Sequence, residues 1–489
     1  MKKIALLLPL ALFLTSLPCA AQGPLSPPGA PAPTMKTLEQ IEPRTPISSL
    51  PYTITNSGSY YVVSNLHSTG HGIVIQASGV TVDLMGFSLT GDGSSPGRGI
   101  YVDGATNALI EDLVITGGRI NEFWYGLKCN YMNNSRIEQM AVSDSNCTGV
   151  YLDGNRGQCN GNTIANCTIS GGTSGCSGVV LDGWWDGQCN GNTIVDCAIN
   201  GNSNHGVTLY NQMGQCNGNT IANCAIIGNL RSGVRFHCIN AGQCNGNTIS
   251  DCTISGNNNH GVFLDSEHDS QCDGNTIANC NISGNNSHGV YLYGDDTGTC
   301  SRTTISDCNI TGNTSNGVYL SGDNSGQCDG NTITDCIISG NEQNGVHFDG
   351  DNSGQCNGNA VLNCTISRNL DRGVDLNGSS SGQCDGNTIR ENTISKNADR
   401  GIHLDYADGN RVEANAIWGT TGSPSYGIWT TNTTDNFILK NTCVGQTNNF
   451  HLDPADTYGP IVTSSGALSS TGDESHPWAN FSRGERVSH

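Results

Sequence analysis

Histidine, aspartate, arginine and aromatic residues gather around one recurrent position in the second half of this sequence. The position is the third of a G-V-x-L-type motif, and six successive motifs place there Tyr291, Tyr319, His347, Asp375, His403 and Trp429. Near these positions also lie Asp349, Asp405, Arg372 and Arg400. Imidazoles and carboxylates exchange protons, whereas aromatic rings and guanidinium groups hold sugars. These residue types therefore suit a glycosidic bond, whose cleavage needs an acid and a base.

The proton-transfer roles are assigned first. We predict that Asp375 acts as acid or base between His347 and His403, and that Asp349 or Asp405 supplies the second carboxylate. A lyase would instead need a base beside a neutralised uronate, which Arg400 or His403 would supply. The competing interpretation is a solvated surface without catalysis, because drifting repeats bring polar residues together by chance.

Substrate contacts are predicted for the residues around this set. Arg372 and Arg400 would hold the substrate. Tyr291, Tyr319 and Trp429 would offer flat rings to the faces of pyranose units. All of these side chains must come from consecutive coils of one repeat structure to meet in space.

The sequence repeats itself over most of its length. The motif glycine recurs at Gly72, Gly99, Gly126, Gly149, Gly178, Gly206, Gly233, Gly261, Gly289, Gly317, Gly345, Gly373, Gly401 and Gly427. From Gly233 to Gly401 the step is 28 residues every time. A fixed period of this size is typical of solenoids, propellers or tandem arrays.

Three short runs of alternating apolar and polar residues fill each period, as in N-T-I-T-D-C-I-I-S and G-V-H-F. Alternation of this kind predicts strands, and no run has useful helical spacing. Asparagine and glycine punctuate the corners between the runs. We therefore predict an all-β fold, a right-handed parallel β-helix with three strands per coil and about 14 coils. Positions one period apart would then lie roughly 5 Å apart.

The repeated N-x-I-x-x-N-x-I…G-I-x-L pattern resembles the pectin-lyase-like superfamily of β-helical proteins. More narrowly, PRTPISSLPYTI near the start and GPIV…HPWANFS near the end are similar to a family of secreted bacterial β-helix proteins of unassigned activity. The resemblance covers roughly Pro43 to Ser482. It implies the fold, and it brings no active-site signature of the superfamily with it.

The segments outside the repeats predict an exported protein. Two lysines, an apolar run and C-A-A make residues 1–21 typical of a secretory signal peptide, with a lipidated Cys19 as the alternative. We assign 22–43 to a Pro-rich linker, 44–71 to an N-terminal cap, 72–449 to the β-helix and 450–489 to a C-terminal tail. No segment has the run of apolar residues that a membrane-spanning helix needs. The protein should be secreted, with the periplasm or cell surface as alternatives.

Charge narrows the choice of partner and cofactor. The net charge of −21 argues against nucleic acid, because phosphate binding needs the opposite sign. A polyanionic glycan is also disfavoured unless calcium or a local arginine cluster reverses the field. Calcium is a candidate at the D-N-S-G turns that begin at Asp323 and Asp351, where solvated turns without metal are the competing interpretation. No cofactor is certain from the sequence.

Cysteines recur in two rows. The first is Cys159, Cys189, Cys216, Cys244, Cys272, Cys300, Cys328, Cys356 and Cys384, and the second lies eight residues later in each coil, from Cys167 to Cys364. This spacing does not suit zinc and predicts a structural ladder. Disulfides could join like positions on neighbouring coils, or the second cysteine of one coil to the first of the next. A stacked ladder that stays partly reduced is the third alternative.

The leading functional hypothesis is binding or cleavage of an extracellular polysaccharide along an outward groove, by lyase or glycoside hydrolase chemistry. A non-catalytic cell-surface, adhesion or structural role is the alternative. Ice binding is a distant third, suggested by an outward row of threonines from Thr163 to Thr388. High strand propensity explains such a row without any ligand. The oligomeric state does not follow from the sequence.

Overall fold

The predicted right-handed parallel β-helix is confirmed by the structure of the protein, a computed structural model that describes residues 43–105, 108–379, 381–463 and 471–484. The predicted signal peptide and nearly all of the linker lie outside these residues. A typical coil contains the strands Thr248–Ser250, Thr253–Ser255 and Val262–Glu267. The first two belong to a 32-stranded sheet, here called sheet 2, and the third to a 16-stranded sheet, here called sheet 1.

Sheet 1 carries the predicted site, and its strands pair in parallel from one coil to the next. They are Tyr52–Ile54, Ile73–Ile75, Arg98–Asp103, Tyr125–Asn130, Val150–Asp153, Val179–Asp182, Val207–Gln212, Val234–Ile239, Val262–Glu267, Val290–Asp295, Val318–Asp323, Val346–Gly350, Val374–Asn377, Arg400–Asp405, Tyr426–Thr431 and Asn448–His451. One strand lies beyond each end of the glycine-marked series. The coil count predicted from the glycines alone therefore differs slightly from the observed stack.

Both ends of the described chain contribute strands to the stack. Within the predicted cap, Thr45–Ile47 pairs with Gly58–Val62, and Tyr52–Ile54 pairs with the following coil. Within the predicted tail, Thr457–Tyr458 and Asn480–Arg483 pair with strands of the last coils. The short helix in the described residues is a 3-10 turn at Asp473–Ser475. None of the described helices is long and apolar enough to cross a lipid bilayer.

The interior of the solenoid holds isoleucine, valine, leucine and cysteine together with rows of asparagine. Asn313 is fully buried, and its Nδ2 donates to Oδ1 of Asn341 at 3.0 Å and to the carbonyl of Ile282 at 3.3 Å. Its Oδ1 accepts hydrogen bonds from the main-chain N–H and Nδ2 of Asn285. Buried amides of this kind are stable only when fully bonded, so the row fixes the register between coils.

The sequence signals at the corners have local causes. A Cβ on the motif glycine Gly289 would lie 2.5 Å from Cγ2 of Ile310 and 2.6 Å from the oxygen of Gly317, so close packing excludes any side chain there. Each typical coil has a corner between its two strands of sheet 2. At this corner Asp251 and Asn279, in successive coils, have φ of 55° and 54°. Asn and Asp adopt this left-handed conformation more readily than other non-glycine residues.

The cysteine rows lie in the core as neighbours of like position. The main-chain N–H of Cys224 points at Sγ of Cys252 at 3.4 Å, one coil away. The two disulfides join Cys147 to Cys176 and Cys238 to Cys244, so neither predicted row-wise pairing occurs. The other described cysteines are free and buried. The third alternative, a stacked ladder that stays partly reduced, describes the rows, and among the described row members only Cys244 is bridged.

Loss of one amide from the asparagine row should destabilise the whole stack. Asn313→Ala would leave donors of Asn285 without an acceptor, and an unsatisfied buried group costs roughly 1–3 kcal/mol. We expect the urea concentration at the midpoint of unfolding, measured by circular dichroism, to fall clearly. Asn309→Ala is the matched control, because Asn309 is exposed on the same coil and surface changes stay within about 0.5 kcal/mol. Equal effects of the two variants would contradict this account of the register.

Candidate functional site

The predicted site residues lie on the outward face of sheet 1, in neighbouring strands and in register. His347 pairs with Tyr319 on one side and with Asp375 on the other. His403 pairs with Asp375 and with Trp429. The structure therefore brings these five positions together in one row along the solenoid axis.

Asp375 lies at the centre of an ionic cluster and is only 1% exposed. Its carboxylate accepts a hydrogen bond from Nη1 of Arg372 at 2.6 Å and lies 2.8 Å from Nδ1 of His403 and 3.5 Å from Nε2 of His347. Burial alone would raise the pKa of Asp375, but the interactions with His347, His403 and Arg372 outweigh it and hold that pKa well below its usual range. An enclosed carboxylate that stays ionised is poorly suited to the predicted role of acid or base. It is well suited to orienting the imidazoles.

The two histidines differ in what their second nitrogen contacts. Because ionised Asp375 accepts from Nδ1 of His403, a neutral His403 has its lone pair on Nε2. Nδ1 of His347 lies 3.4 Å from the amide nitrogen of Asn344. Nε2 of His347 is buried without a hydrogen-bond partner among the described residues. His403 is thus the group of this cluster that can accept a proton from a ligand.

The proposed second carboxylates occupy the next outward row of the same strands. Asp349 accepts a hydrogen bond from the hydroxyl of Tyr319 at 2.8 Å and another from Nδ2 of Asn377 at 3.2 Å. Asp405 accepts one from Nδ2 of Asn432 at 3.0 Å. Both carboxylates are therefore held by neutral donors, outside the hydrogen bonds that surround Asp375.

Both predicted substrate-binding arginines have partners within the protein. Arg372 is bonded to Asp375, and its Nε lies 3.6 Å from Asp399. Arg400 is hydrogen-bonded to Asp399, and its guanidinium lies 4.1 Å from the centre of the Trp429 ring. Contact with a substrate would have to compete with these ion pairs.

The predicted aromatic platforms form a closed stack. The rings of Phe263 and Tyr291 are 5.0 Å apart and 8° from parallel, and those of Tyr291 and Tyr319 are 4.8 Å apart and 10° from parallel. Each inner ring face is thus covered by the next ring, and no pyranose fits between them. The prediction that Tyr291 and Tyr319 present their faces to sugars does not suit this geometry, because a ligand would meet ring edges.

A second cluster on the outward face of sheet 1 surrounds Arg235. The guanidinium of Arg235 is hydrogen-bonded to Asp265, and its Nη2 lies 2.9 Å from Nδ1 of His237. Nδ1 of His237 also lies 2.9 Å from Asp265. His237, Asp265 and Glu267 each offer one atom that could bind a metal ion, and these three atoms lie within 4.8 Å of one another. They form a candidate metal set.

Beside this cluster lies a cavity of about 390 Å³ that sequence reasoning missed. Its lining includes Tyr151, Ser177, His205, Thr208, Tyr210, Arg231, Arg235 and His237. Arg235, Tyr151 and Thr208 stand at the same motif position as Asp375, whereas the predicted site uses only the last six members of that row. The signal that could have found the cavity is two small residues, Val180 and Thr208, in an otherwise bulky row.

A sequence profile described as "Periplasmic copper-binding protein (NosD)" matches residues 53–243, 188–327 and 299–459. These overlapping matches span more than half of the chain. The chain belongs to the NosD family. A comparison with curated proteins finds no match to this NosD-family chain.

Several solved structures are similar to this NosD-family chain at low identity. The Azotobacter vinelandii mannuronan C-5 epimerase AlgE4 A-module is 17% identical, with a TM-score of 0.42 over 82% of this chain and 91% of that one. The periplasmic alginate epimerase AlgG is 12% identical, with a TM-score of 0.32 over 88% and 78% of the two chains. Tailspike protein 3 of bacteriophage CBA120 is 12% identical, with a TM-score of 0.37 over 82% and 54%.

Two further predictions for this NosD-family chain stay predictions. At the turns considered for calcium, Nδ2 of Asn352 donates to Oδ1 of Asp323 at 2.9 Å, and Nδ2 of Asn324 donates to Oδ1 of Asp295 at 2.9 Å. Each of these carboxylates thus already has an amide partner from the next coil. The threonine row forms a regular outward line in sheet 2 that Ala360 interrupts between Thr332 and Thr388.

Asp375 and Asp182 should affect stability in opposite directions as the pH changes. Burial raises the pKa of Asp182 to about 6, so its contribution to stability falls as the pH rises from about 4 to about 6. The lowered pKa of Asp375 gives stabilisation that is present above about pH 4 and is lost as the pH falls below it. We expect Asp375→Asn to cost about 3 kcal/mol at pH 7 and less near pH 3.

Asp182→Asn is the matched comparison, because both aspartates are buried on sheet 1. Relative to the wild type, this variant should gain about 2–3 kcal/mol between pH 4 and pH 7. Urea unfolding of the three proteins across this pH range measures both trends. If the two variants followed the same trend, the assigned charge states would be wrong.

Proposed function

We propose that this protein is exported and binds a polysaccharide along the outward face of sheet 1. The observation that supports the proposal is one strip of aromatic and basic side chains on that face of a chain whose net charge is −21. The strip includes the cation–π pairs Arg98–Tyr101 at 4.1 Å, Lys128–Tyr151 at 4.8 Å and Arg400–Trp429 at 4.1 Å. Flat apolar rings beside polar and charged groups suit a sugar polymer.

The face also has the dimensions that a long ligand needs. Sixteen strands at a spacing of about 4.8 Å extend roughly 70 Å along the solenoid axis. The length of one sugar unit in a polymer is similar to this strand spacing, so successive units would meet successive coils. A small soluble ligand would need only a fraction of this strip.

In its catalytic form, the proposal assigns the base to His403. Asp375 is a positioning residue, because it fixes the Nδ1 proton of His403 and leaves Nε2 as the acceptor. The ring of Trp429 stands edge-on to His403 at 6.1 Å and offers an apolar wall beside it. A sugar C–H or hydroxyl proton facing Nε2 is then the group that this arrangement could remove.

A non-catalytic surface or adhesion role is the second candidate. It is favoured by the internal partners of the ionic groups: Arg372 with Asp375, and Arg400 with Asp399. Pairs of this kind stabilise neighbouring coils without any ligand. In this form the same strip binds a polymer, and no bond is broken.

Copper, which the family description names, does not suit the described clusters. Around His237, Asp265 and Glu267, a copper ion would have to displace the guanidinium of Arg235 or sit beside its fixed positive charge. Copper also prefers several imidazole or sulfur ligands, and this set has one imidazole. The thiol rows are enclosed in the core, where Cys252 and Cys280 donate to main-chain carbonyls. No step of the proposed mechanism therefore uses copper.

A panel of neutral and acidic polysaccharides tests the proposal. Affinity electrophoresis measures binding, and reducing ends together with absorbance near 235 nm measure cleavage by hydrolysis or elimination. We expect the wild type to bind at least one polymer, and His403→Gln to lower any turnover by about 10²-fold or more while binding persists. Thr276→Ala on sheet 2 is the control that should change neither.

Each outcome decides between the forms of the proposal. Binding without turnover supports the adhesion form, and turnover that depends on His403 supports the catalytic form. Turnover that survives His403→Gln would contradict the assigned base. No binding to any polymer would contradict the function itself.

A further inference from the structure

The cavity on sheet 1 exists because two small side chains interrupt a row of large ones. At the outward motif position, successive coils carry Tyr151, Val180, Thr208 and Arg235. Three coil steps separate the outer two residues, or roughly 14 Å. In the next coils the same position carries a closed ring stack. The resulting cavity of about 390 Å³ is large enough for one sugar ring and its substituents.

The walls of the cavity are rich in hydrogen-bond donors. Ser177 and Thr208 place their hydroxyl oxygens 2.8 Å apart in its lining. Nδ1 of His205 accepts the main-chain N–H of Ser232 at 3.1 Å, so the proton of a neutral His205 is on Nε2. Burial lowers the pKa of His205 to about 3, which keeps it neutral. Tyr210 adds a phenol and an aromatic wall.

The lining is basic, although the chain as a whole is acidic. Arg231 and Arg235 both line the cavity, and Arg231 is exposed and makes no ion pair among the described residues. The carboxylates behind the lining are occupied, Asp265 by Arg235 and His237, and Asp182 by the hydroxyl of Tyr151. Because Asp265 offsets the charge of Arg235, the guanidinium of Arg231 is the positive group that a ligand in the cavity meets without a bound carboxylate.

A polar atom without a partner and a cross-link support a built site. Nε of the lining residue Arg235 is buried and has no hydrogen-bond partner among the described residues. Buried polar groups of native proteins are rarely left in this state. At the rim, a disulfide joins Cys147 to Cys176, and both line the cavity. The cross-link restrains the two loops that border the opening.

We propose that this cavity is a subsite for one sugar residue that carries a carboxylate. The carboxylate would face Arg231 and Arg235, because guanidinium groups bind carboxylates through paired hydrogen bonds. The ring hydroxyls would face Ser177, Thr208 and Tyr210. The inference that the cavity binds this residue as part of a polymer rests on the proposed function. The inference that it binds a single sugar acid does not rest on it.

The subsite is distinct from the Asp375 cluster on the same face. Arg235 and Asp375 stand at the same motif position five coils apart, or roughly 24 Å. Phe263, Tyr291 and Tyr319 fill part of the interval with ring edges. A polymer that reached both places would have to be at least about five residues long.

Ligand-observed NMR with single sugars tests the subsite. The probes are glucuronate and galacturonate, their neutral counterparts glucose and galactose, and acetate as the bare carboxylate. We expect the sugar acids to bind roughly tenfold more tightly than the neutral sugars, since charge-assisted hydrogen bonds are about twice as strong as neutral ones. Arg231→Gln should remove this difference. Arg368→Gln is the matched control, because Arg368 is exposed on a corner of sheet 2.

A cavity-filling variant tests the location without removing a charge. Thr208→Tyr would continue the wall of rings, and Tyr291 and Tyr319 occupy the same position in other coils, so the fold should be retained. We expect this variant to lose binding of the sugar acids and to keep the circular dichroism spectrum of the wild type. Arg235→Lys, which keeps a charge beside Asp265 but not the paired donors, should weaken binding about as much as Arg231→Gln.

Several results would overturn the inference. They are equal binding of glucose and glucuronate, equal binding of acetate and the sugar acids, unchanged binding by Thr208→Tyr, or no saturable binding at about 50 mM. Sugar-acid binding by a protein that binds no polymer would count against the proposed function alone. Polymer binding that ignores Arg231→Gln and Thr208→Tyr would count against the subsite alone.

Discussion

The hydrogen bonds of buried asparagine amides from coil to coil are the interaction on which this structure depends. In Asn285, Oδ1 accepts from both the main chain and Nδ2 of Asn257, and Nδ2 donates to Asn313 and to the carbonyl of Ile254. The Asn285 amide thus uses its acceptor twice and both of its donors. A shift of one residue between coils would leave these groups unpaired in a nonpolar interior. Register is therefore held from inside, and the outward face is free to vary.

A fixed register makes every outward residue the neighbour of its counterpart in the next coil. Aromatic rings tolerate this repetition, because Phe263, Tyr291 and Tyr319 simply stack. Like charges do not, since carboxylates about 5 Å apart repel one another. In this row Asp375 lies between two histidines and accepts a hydrogen bond from an arginine, so it has no carboxylate as a direct neighbour. Much of the ionic pattern that looks catalytic in the sequence is thus also what the stack requires.

The period predicted which residues become neighbours, and the structure agrees: His347, Asp375 and His403 lie in one row. The sequence could not predict what covers them. Asp375 is buried because the side chain of Arg372, three residues earlier, folds over it, and this depends on rotamers rather than on period. The same holds for the cysteines. Spacing predicted their rows, but the bridge between Cys147 and Cys176 joins two loops outside the regular pattern.

Regularity itself decides where a specific ligand can bind. From Gly233 to Gly401 every step is 28 residues, so the spacing of the coils is constant although the outward side chains differ. From Gly149 to Gly233 the steps are 29, 28 and 27 residues, and the outward position changes from Tyr151 through the small Val180 and Thr208 to Arg235. A repeated surface offers many equivalent weak contacts along a polymer, whereas one recessed position requires a break in the repeat. The basic cavity lies at such a break, in a part of the solenoid where the step between motif glycines is not constant.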